Sequence, residues 1–356
     1  MRHSIAVTTL FAATVLGCAG QGVDRVDTGT GTVVTPENPN LGEQNPNKPG
    51  EPHTVVKTVF YAHTNNQLFE IDATSSDLPM HLVGTFDCVG KGNEASSITD
   101  LAVDEAGRIF LVANPTSGKN SIVFLDVKIN GDVVECAGKG VQLSEEGSFY
   151  GATFAPKGTV LPNAEALVVA NDLGELYEVN TSSAQTTLLG NFGVVPAADP
   201  QGHTFKNKGT QFALSGDIVF MSAGGNPLGY ATVRDCSSGK TTSCSKTDTL
   251  VEIDMSKLRA GNTGSVVKKV RGQVVKSKSC SDSNESYGSM YGVAAYQNQI
   301  YGFARTSVDG KTVAQVVRID NSTGEACLVA DQTSLTKSGF AGAGVTTSVE
   351  VSAPVQ

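Results

Sequence analysis

The chain contains no tryptophan, and aromatic residues make up only 6% of it. Charge is also sparse, at 17% of residues, and what there is leans acidic, with a formal net charge of −9. A domain that neutralises phosphates needs a basic footprint, so general nucleic-acid binding is excluded. The five histidines are scattered, and no CxxC, HExxH, GxSxG or P-loop pattern occurs. The residues therefore supply no recognisable metal site, cofactor site or catalytic triad, and we expect neither metal nor cofactor. No apolar run reaches the roughly 20 residues that a membrane-spanning helix requires. What the chain does have is 39 glycines among its 356 residues, with frequent Thr, Ser and Val. That composition points to a turn-rich β protein long enough for one large domain.

The N-terminus carries an address. Arg2 precedes a short apolar run, Ile5 to Leu16, which reads as a secretory signal. The run closes on Val15-Leu16-Gly17-Cys18, which resembles the bacterial lipobox. The resemblance implies that residues 1–17 are removed and that Cys18 is lipidated. Acyl chains contribute about 0.8 kcal/mol per buried CH₂, so several of them anchor a soluble domain firmly. Ala19 in place of Asp implies, by analogy with enterobacterial sorting, the outer membrane, on either its periplasmic or its surface side. Residues 18–53 hold Pro36, Pro39, Pro46, Pro49 and Pro52 and almost no large apolar side chains. They read as a disordered tether with a root-mean-square span of about 30–35 Å.

From residue 54 to about 350 one pattern repeats. Five apolar phrases end on alanine: Phe60-Tyr61-Ala62, Leu111-Val112-Ala113, Val168-Val169-Ala170, Met221-Ser222-Ala223 and Gly302-Phe303-Ala304. Each is followed by a second phrase closing on Asp or Asn, at Asp72, Asp126, Asn180, Asp254 and Asp320. An acid or amide there bonds the backbone two residues on and closes a turn. The second repeat shows the whole unit. Ile98–Val103, Arg108–Ala113, Ser121–Val127 and Asp132–Cys136 read as four strands, with Asn130-Gly131 as the last hairpin. Four antiparallel strands per repeat is the plan of a β-propeller blade. The first repeat lacks an innermost strand, and the end of the chain has a spare one, Phe340–Val345. We therefore expect an all-β propeller of five four-stranded blades, closed by a C-terminal strand, with residues 351–356 as a tail. The repeats exceed the about 40–45 residues of a familiar blade, which leaves six or seven blades, with extra ones in 193–210 or 262–290, as alternatives. An open pair of β-sandwiches is a further one.

The seven cysteines become six once Cys18 is set aside, an even number suited to disulfides in an exported protein. Cys236 and Cys244 flank a polar loop and are expected to pair. The other four allow three connectivities. Cys88 and Cys136 occupy equivalent repeat positions, and Cys280 and Cys327 lie late in successive repeats, so the first choice is 88–136 with 280–327. Equivalent positions need not come within the Cα separation of about 4.4–6.8 Å that a disulfide demands.

The phrases Leu68-Phe69-Glu70-Ile71-Asp72, Leu82-Val83-Gly84-Thr85-Phe86 and Asp100-Leu101-Ala102-Val103-Asp104 are similar to those of uncharacterised secreted bacterial propellers. Those proteins are built on "LYxID…LVGTF" and "DLAxDxxGxLY" units. The resemblance implies the fold and says nothing of chemistry. No Trp-Asp dipeptide is present, and the missing tryptophans remove the docking pattern of quinoprotein propellers.

Three functions stand as expectations. The first is a non-enzymatic envelope lipoprotein that presents its propeller to a protein or glycan partner. The second is a periplasmic scaffold subunit of an outer-membrane machine. The third is a metal-dependent hydrolase or lactonase, for which no residues stand out. The binding face is expected where the second and third strands join, at His63, Asn114, Asn171, Gly224 and Arg305. The long loop from Gly224 to about Thr247, with its cysteine pair, is a second candidate for partner contact. A basic stretch, Val266–Lys278, is read first as edge protection and second as a surface for an anionic polymer.

Overall fold

The computed structural model describes residues 59–223, 226–237, 243–308, 311–336 and 338–347. The signal, Cys18, the tether, Gly224 and the tail at 351–356 lie outside the described residues. The chain divides after Thr54, and every described strand belongs to the unit Val55–Gln356. No helix among the described residues is long and apolar enough to cross a membrane.

Blade I begins with β1 (Val59–His63), β2 (Gln67–Asp72) and β3 (Met80–Phe86). Blade II comes next as β4 (Ala95–Val103), β5 (Ile109–Pro115), β6 (Ile122–Asn130) and β7 (Val133–Cys136), with a short β8 (Val141–Gln142) against β6. Blade III is β9 (Phe149–Ala155), β10 (Ala166–Asn171), β11 (Glu175–Val179) and β12 (Thr186–Asn191). Blade IV is β13 (Phe212–Ala223), β14 (Asn226–Asp235), β15 (Thr249–Ile253) and β16 (Val267–Gln273). Blade V is β17 (Met290–Tyr296), β18 (Gln299–Val308), β19 (Lys311–Ile319) and β20 (Ala326–Asp331). The last strand, β21 (Gly342–Gly344), pairs antiparallel with β1 and supplies the innermost strand that blade I lacks. The innermost strands β4, β9, β13, β17 and β21 each neighbour the next, and β21 meets β4 again, so the ring is closed. The fold is a five-bladed β-propeller, and 193–210 and 262–290 add no further four-stranded sheet among the described residues.

Single blades cannot bury both faces, and the core accordingly lies in the seams. One apolar cluster joins blades I and II around Phe86, Phe124 and Leu111. A second joins II and III, where Phe110 and Phe154 pack edge to face at 5.0 Å. A third joins III and IV around Phe192, Phe212 and Phe220. The fourth spans IV, V and I, with Phe60 edge-on to Phe303 at 6.2 Å. Strands wedged between two neighbours lose the alternation of a half-exposed strand: every residue of β10 is buried. The turn acids act as expected. Asn180 Oδ1 accepts from Ser182 N at 2.9 Å, and Asp320 Oδ1 from Ser322 N at 2.8 Å. Asp254 does the same at the one 3-10 turn among the described residues, Met255–Lys257.

The fourth repeat departs from expectation. Met221-Ser222-Ala223 is not a second strand but the end of the innermost strand β13. A bulge between Leu214 and Ile218 lets two apolar phrases run on as one long strand. The true second strand is β14, whose Leu228-Gly229-Tyr230-Ala231 is less apolar than the phrase expected in its place. The loop that carries Cys236 and Cys244 therefore starts after Asp235, not at Gly224. The basic stretch supplies β16, the outermost strand of blade IV. There Lys268 and Arg271 both bond the buried Glu252 carboxylate of β15.

Three disulfides are present, Cys88–Cys136, Cys236–Cys244 and Cys280–Cys327. The first links the ends of β3 and β7, where the two strands pair in parallel and fuse blades I and II into one sheet. The same sulfurs lie beside Asp87, but bonded to each other they are not metal ligands. The closed loops differ in length, with separations of 48, 8 and 47 residues. Chain entropy puts their contributions at about 4 kcal/mol for the long loops and about 2.5 for the short one. Paired serine replacements should rank in that order by denaturant midpoint. Equal losses for Cys236–Cys244 and Cys280–Cys327 would overturn the entropic account.

Candidate functional site

The four described positions of the expected binding ring do not share an exposed surface. His63 ends β1 and is fully buried. Asn171 is buried at the end of β10, where its Oδ1 accepts from Leu173 N and Glu175 N and closes the turn to β11. Asn114 is half-buried in β5 and donates to Ser97 Oγ at 3.3 Å. Arg305 is half-buried within β18, opposite Ala314. Gly224 lies outside the described residues. The strands run on past the recurring alanine, so the residues at 63, 114, 171 and 305 still belong to the sheet and not to a free loop. The base of the Cys236–Cys244 loop is pinned: Asn207 Nδ2 donates to Asp235 O at 3.0 Å, and Thr210 Oγ1 to Cys236 O at 2.9 Å.

Two acids outside that expected ring lie at the axis. Asp100 of β4 and Asp217 of β13 are both fully buried. Each ties its blade to the next: Asp100 Oδ2 accepts from Ala152 N at 2.6 Å, and Asp217 Oδ2 from Val293 N at 2.8 Å. Asp248 repeats the device, accepting from Met290 N and from Arg234 Nε, both at 2.8 Å. Burial raises the Asp100 carboxyl well above the usual range, and the facing Asp217 carboxyl raises it further. Burial likewise pushes Asp217 up to about 8. His63 points into the same place. Its Nδ1 donates to Thr64 O at 2.8 Å, which leaves the Nε2 lone pair 3.8 Å from Asp100 Oδ1. Burial lowers this imidazole to about 4, so it is neutral. Neither His63 Nε2 nor Asp100 Oδ1 has a hydrogen-bond partner. A signal for the acids is present in the sequence: each is a lone charge in an otherwise apolar innermost phrase, Thr99-Asp100-Leu101-Ala102 and Gly216-Asp217-Ile218-Val219.

The axis itself is filled. A Cβ on Gly216 would fall 1.4 Å from Met290 O, and one on Gly344 2.5 Å from Leu101 Cδ1. A Cβ on Gly342 would fall 2.2 Å from His63 Nε2. The innermost strands thus pack backbone against neighbour, and the acids between them are sealed from solvent.

Open space lies instead on the face formed by the turns after the first and third strands of the blades. A cleft of about 250 Å³ opens between blades I and V. One wall is the Ala73–Leu78 turn, and the other holds Tyr296, Gln297, Tyr301, Arg318 and Val329. A second cleft of similar volume lies on the far side of Arg318, among Asp320, Asn321 and Glu325.

No family model matches the chain, and no curated protein matches it. Among solved structures it is similar to the C-terminal domain of PilY1 from Pseudomonas aeruginosa, at 10% identity over 76% of this chain and 70% of that one, with a TM-score of 0.33. It is also similar to BamB from Moraxella catarrhalis, at 11% identity over 75% of this chain and 73% of that one, with a TM-score of 0.27. Likenesses this distant carry no residue across.

Proposed function

We propose that the chain is a non-enzymatic binding module of the cell envelope, lipidated at Cys18 and held on its tether, whose propeller engages a protein or glycan. The observation that supports this reading is the filled axis. The buried acids bond backbone amides of neighbouring blades and have no route to a substrate. Side chains free to meet a ligand lie on the turn face, at the seam of blades I and V. Rigid seams hold that face in one shape, which lowers the ordering cost of binding.

The test is shaving of intact cells with a protease that cannot cross the outer membrane, followed by blotting for the propeller beside a periplasmic control. Loss of the propeller with the control intact supports a surface receptor or adhesin. Survival until the membrane is permeabilised rejects surface binding and leaves the periplasmic scaffold.

A further inference from the structure

Arg318 breaks the pattern of its repeat. In three other repeats the residue two before the closing acid or amide is glutamate: Glu70, Glu178 and Glu252. Blade V carries arginine there instead. In blade IV the equivalent Glu252 is bonded by Lys268 and Arg271 of the outer strand. Arg318 faces Cys327 across its outer strand and makes no ion pair among the described residues. It is exposed, and among the described residues it is the one charged side chain that lines the blade I–V cleft. The nearby acids Asp72 and Asp77 do not line the cleft, and they accept the Thr74 and Ser75 hydroxyls of its wall.

Ala73, Leu78 and Val329 are the apolar part of the lining, and the rest of it is polar. Phe60, buried below, contacts both tyrosine rings, at 6.5 Å to Tyr296 and 5.3 Å to Tyr301. Gln297 Nε2 donates to Tyr296 Oη at 3.0 Å, so the Tyr296 hydroxyl hydrogen is left to donate outward. On the opposite wall Thr74 Oγ1 donates to Asp72 Oδ1 at 2.6 Å and Ser75 Oγ to Asp77 Oδ1, so these two oxygens offer lone pairs, and Ser76 adds a third hydroxyl. Left-handed residues set both walls: Leu78 at φ 48°, and Gln297 and Asn298 at 47° and 65°. The volume is below the roughly 300–1,000 Å³ of pockets for drug-sized ligands, which suits one pyranose ring.

We propose, building on the binding-module reading, that this cleft receives a sugar unit bearing one carboxylate, with Arg318 gripping the carboxylate and the tyrosines and hydroxyls meeting the ring. A planar guanidinium matches a carboxylate in a two-bond grip. A single positive group suits a single negative one, and a mix of donors (Tyr296, Gln297) and acceptor oxygens (Thr74, Ser75) suits a ring of hydroxyls, which both donate and accept. An apolar peptide side chain would leave those donors unpaired.

The test is full-length protein on an array of oligogalacturonate, oligoglucuronate and sialyllactose, with the carboxyl methyl esters and neutral counterparts. The expected result is binding to the free acids alone, weakened about tenfold or more by Arg318→Ala and restored in part by Arg318→Lys. Arg318 is exposed, so these variants should keep the parent melting temperature. Tyr301→Phe provides a second probe: the Tyr301 hydroxyl donates to Gln299 Oε1 at 3.1 Å and offers a ligand only a lone pair, so its loss should weaken binding less. Equal binding of esters and acids, or of Arg318→Ala and parent, overturns the carboxylate assignment and leaves the module reading standing. No binding to any sugar, with an envelope protein cross-linked to the chain in cells, also overturns it and transfers the module reading to a protein partner. Neither sugar nor cross-linked partner overturns both.

Discussion

Gly216→Ala should cost more than about 4 kcal/mol, and the variant should fail to accumulate as folded protein. The reason is geometric. Gly216 sits in the bulge of β13, between Leu214 and Ile218. Its missing Cβ would meet the Met290 carbonyl oxygen at 1.4 Å and the Tyr291 Cα at 2.8 Å. Both obstacles are backbone, so no rotamer change relieves the clash. β17 would have to move away from β13, and the shift would break the hydrogen bonds that Val293 N donates to Asp217 and Met290 N donates to Asp248. A five-membered ring has no slack to absorb this, because every innermost strand is already held on two sides. Gly158→Ala is the comparison. Gly158 lies in a turn with nothing within 4 Å of its added Cβ, so only its φ of +86° resists the change. That strain costs on the order of 1–2 kcal/mol. Denaturant midpoints of the two variants would separate these effects. A Gly216→Ala stability within about 1 kcal/mol of that of Gly158→Ala would mean the innermost strands are not in close contact.

The architecture was legible because its cause is local. Strands that pack between neighbouring blades must be apolar on both faces, and phrases such as Leu167–Ala170 show that directly. Turn closure by Asp72, Asn180 and Asp320 is a two-residue interaction and reads from spacing alone. Closure of the ring was inferable too, since one repeat lacked a strand and the chain end offered one. Blade IV misled because its bulge is a tertiary event. Only contact with Met290 explains why Ser215-Gly216-Asp217 interrupts a strand without ending it. The site was less legible. The positions after each alanine were expected in the joins between second and third strands, whereas His63 and Asn171 end their strands and Asn114 and Arg305 lie within theirs, and periodicity does not say whether such a side chain turns outward or into a seam. His63 and Asn171 turn inward. Arg318 was readable in principle as a reversal of charge within the repeat, but only the fold shows that it makes no ion pair among the described residues.

Asp100→Asn should stabilise the protein at pH 8 and flatten the pH dependence of its stability. In the folded chain Asp100 is raised well above its ordinary value and Asp217 is raised to about 8, each chiefly by burial. In the unfolded chain both titrate near the ordinary value of 3.8. Over that interval the folded state holds protons the unfolded state has released, so stability falls as pH rises, by about 1.4 kcal/mol per pH unit for each such proton. His63 acts in the opposite sense, but only between about 4, its folded value, and 6.5. The steepest loss is therefore expected between pH 6.5 and 8. Asparagine at position 100 keeps an acceptor for the Ala152 amide, which Oδ2 now serves. Its amide nitrogen would stand where Oδ1 has no partner, close to the His63 Nε2 lone pair and to Asp217. One buried ionisable group is removed, and the remaining carboxylate gains a neutral donor in place of a like charge, which eases its ionisation. Glu165, half-buried and raised to about 7, contributes a fall in the same direction in parent and variant alike. The informative quantity is thus the difference between the two proteins. Urea melts at pH 5, 6.5 and 8 should show a difference that grows in favour of the variant, on the order of 2–4 kcal/mol by pH 8. A variant that loses stability equally at all three pH values would show that the Asp100 carboxyl is not raised on folding, and that it serves only as an acceptor for its neighbouring blade.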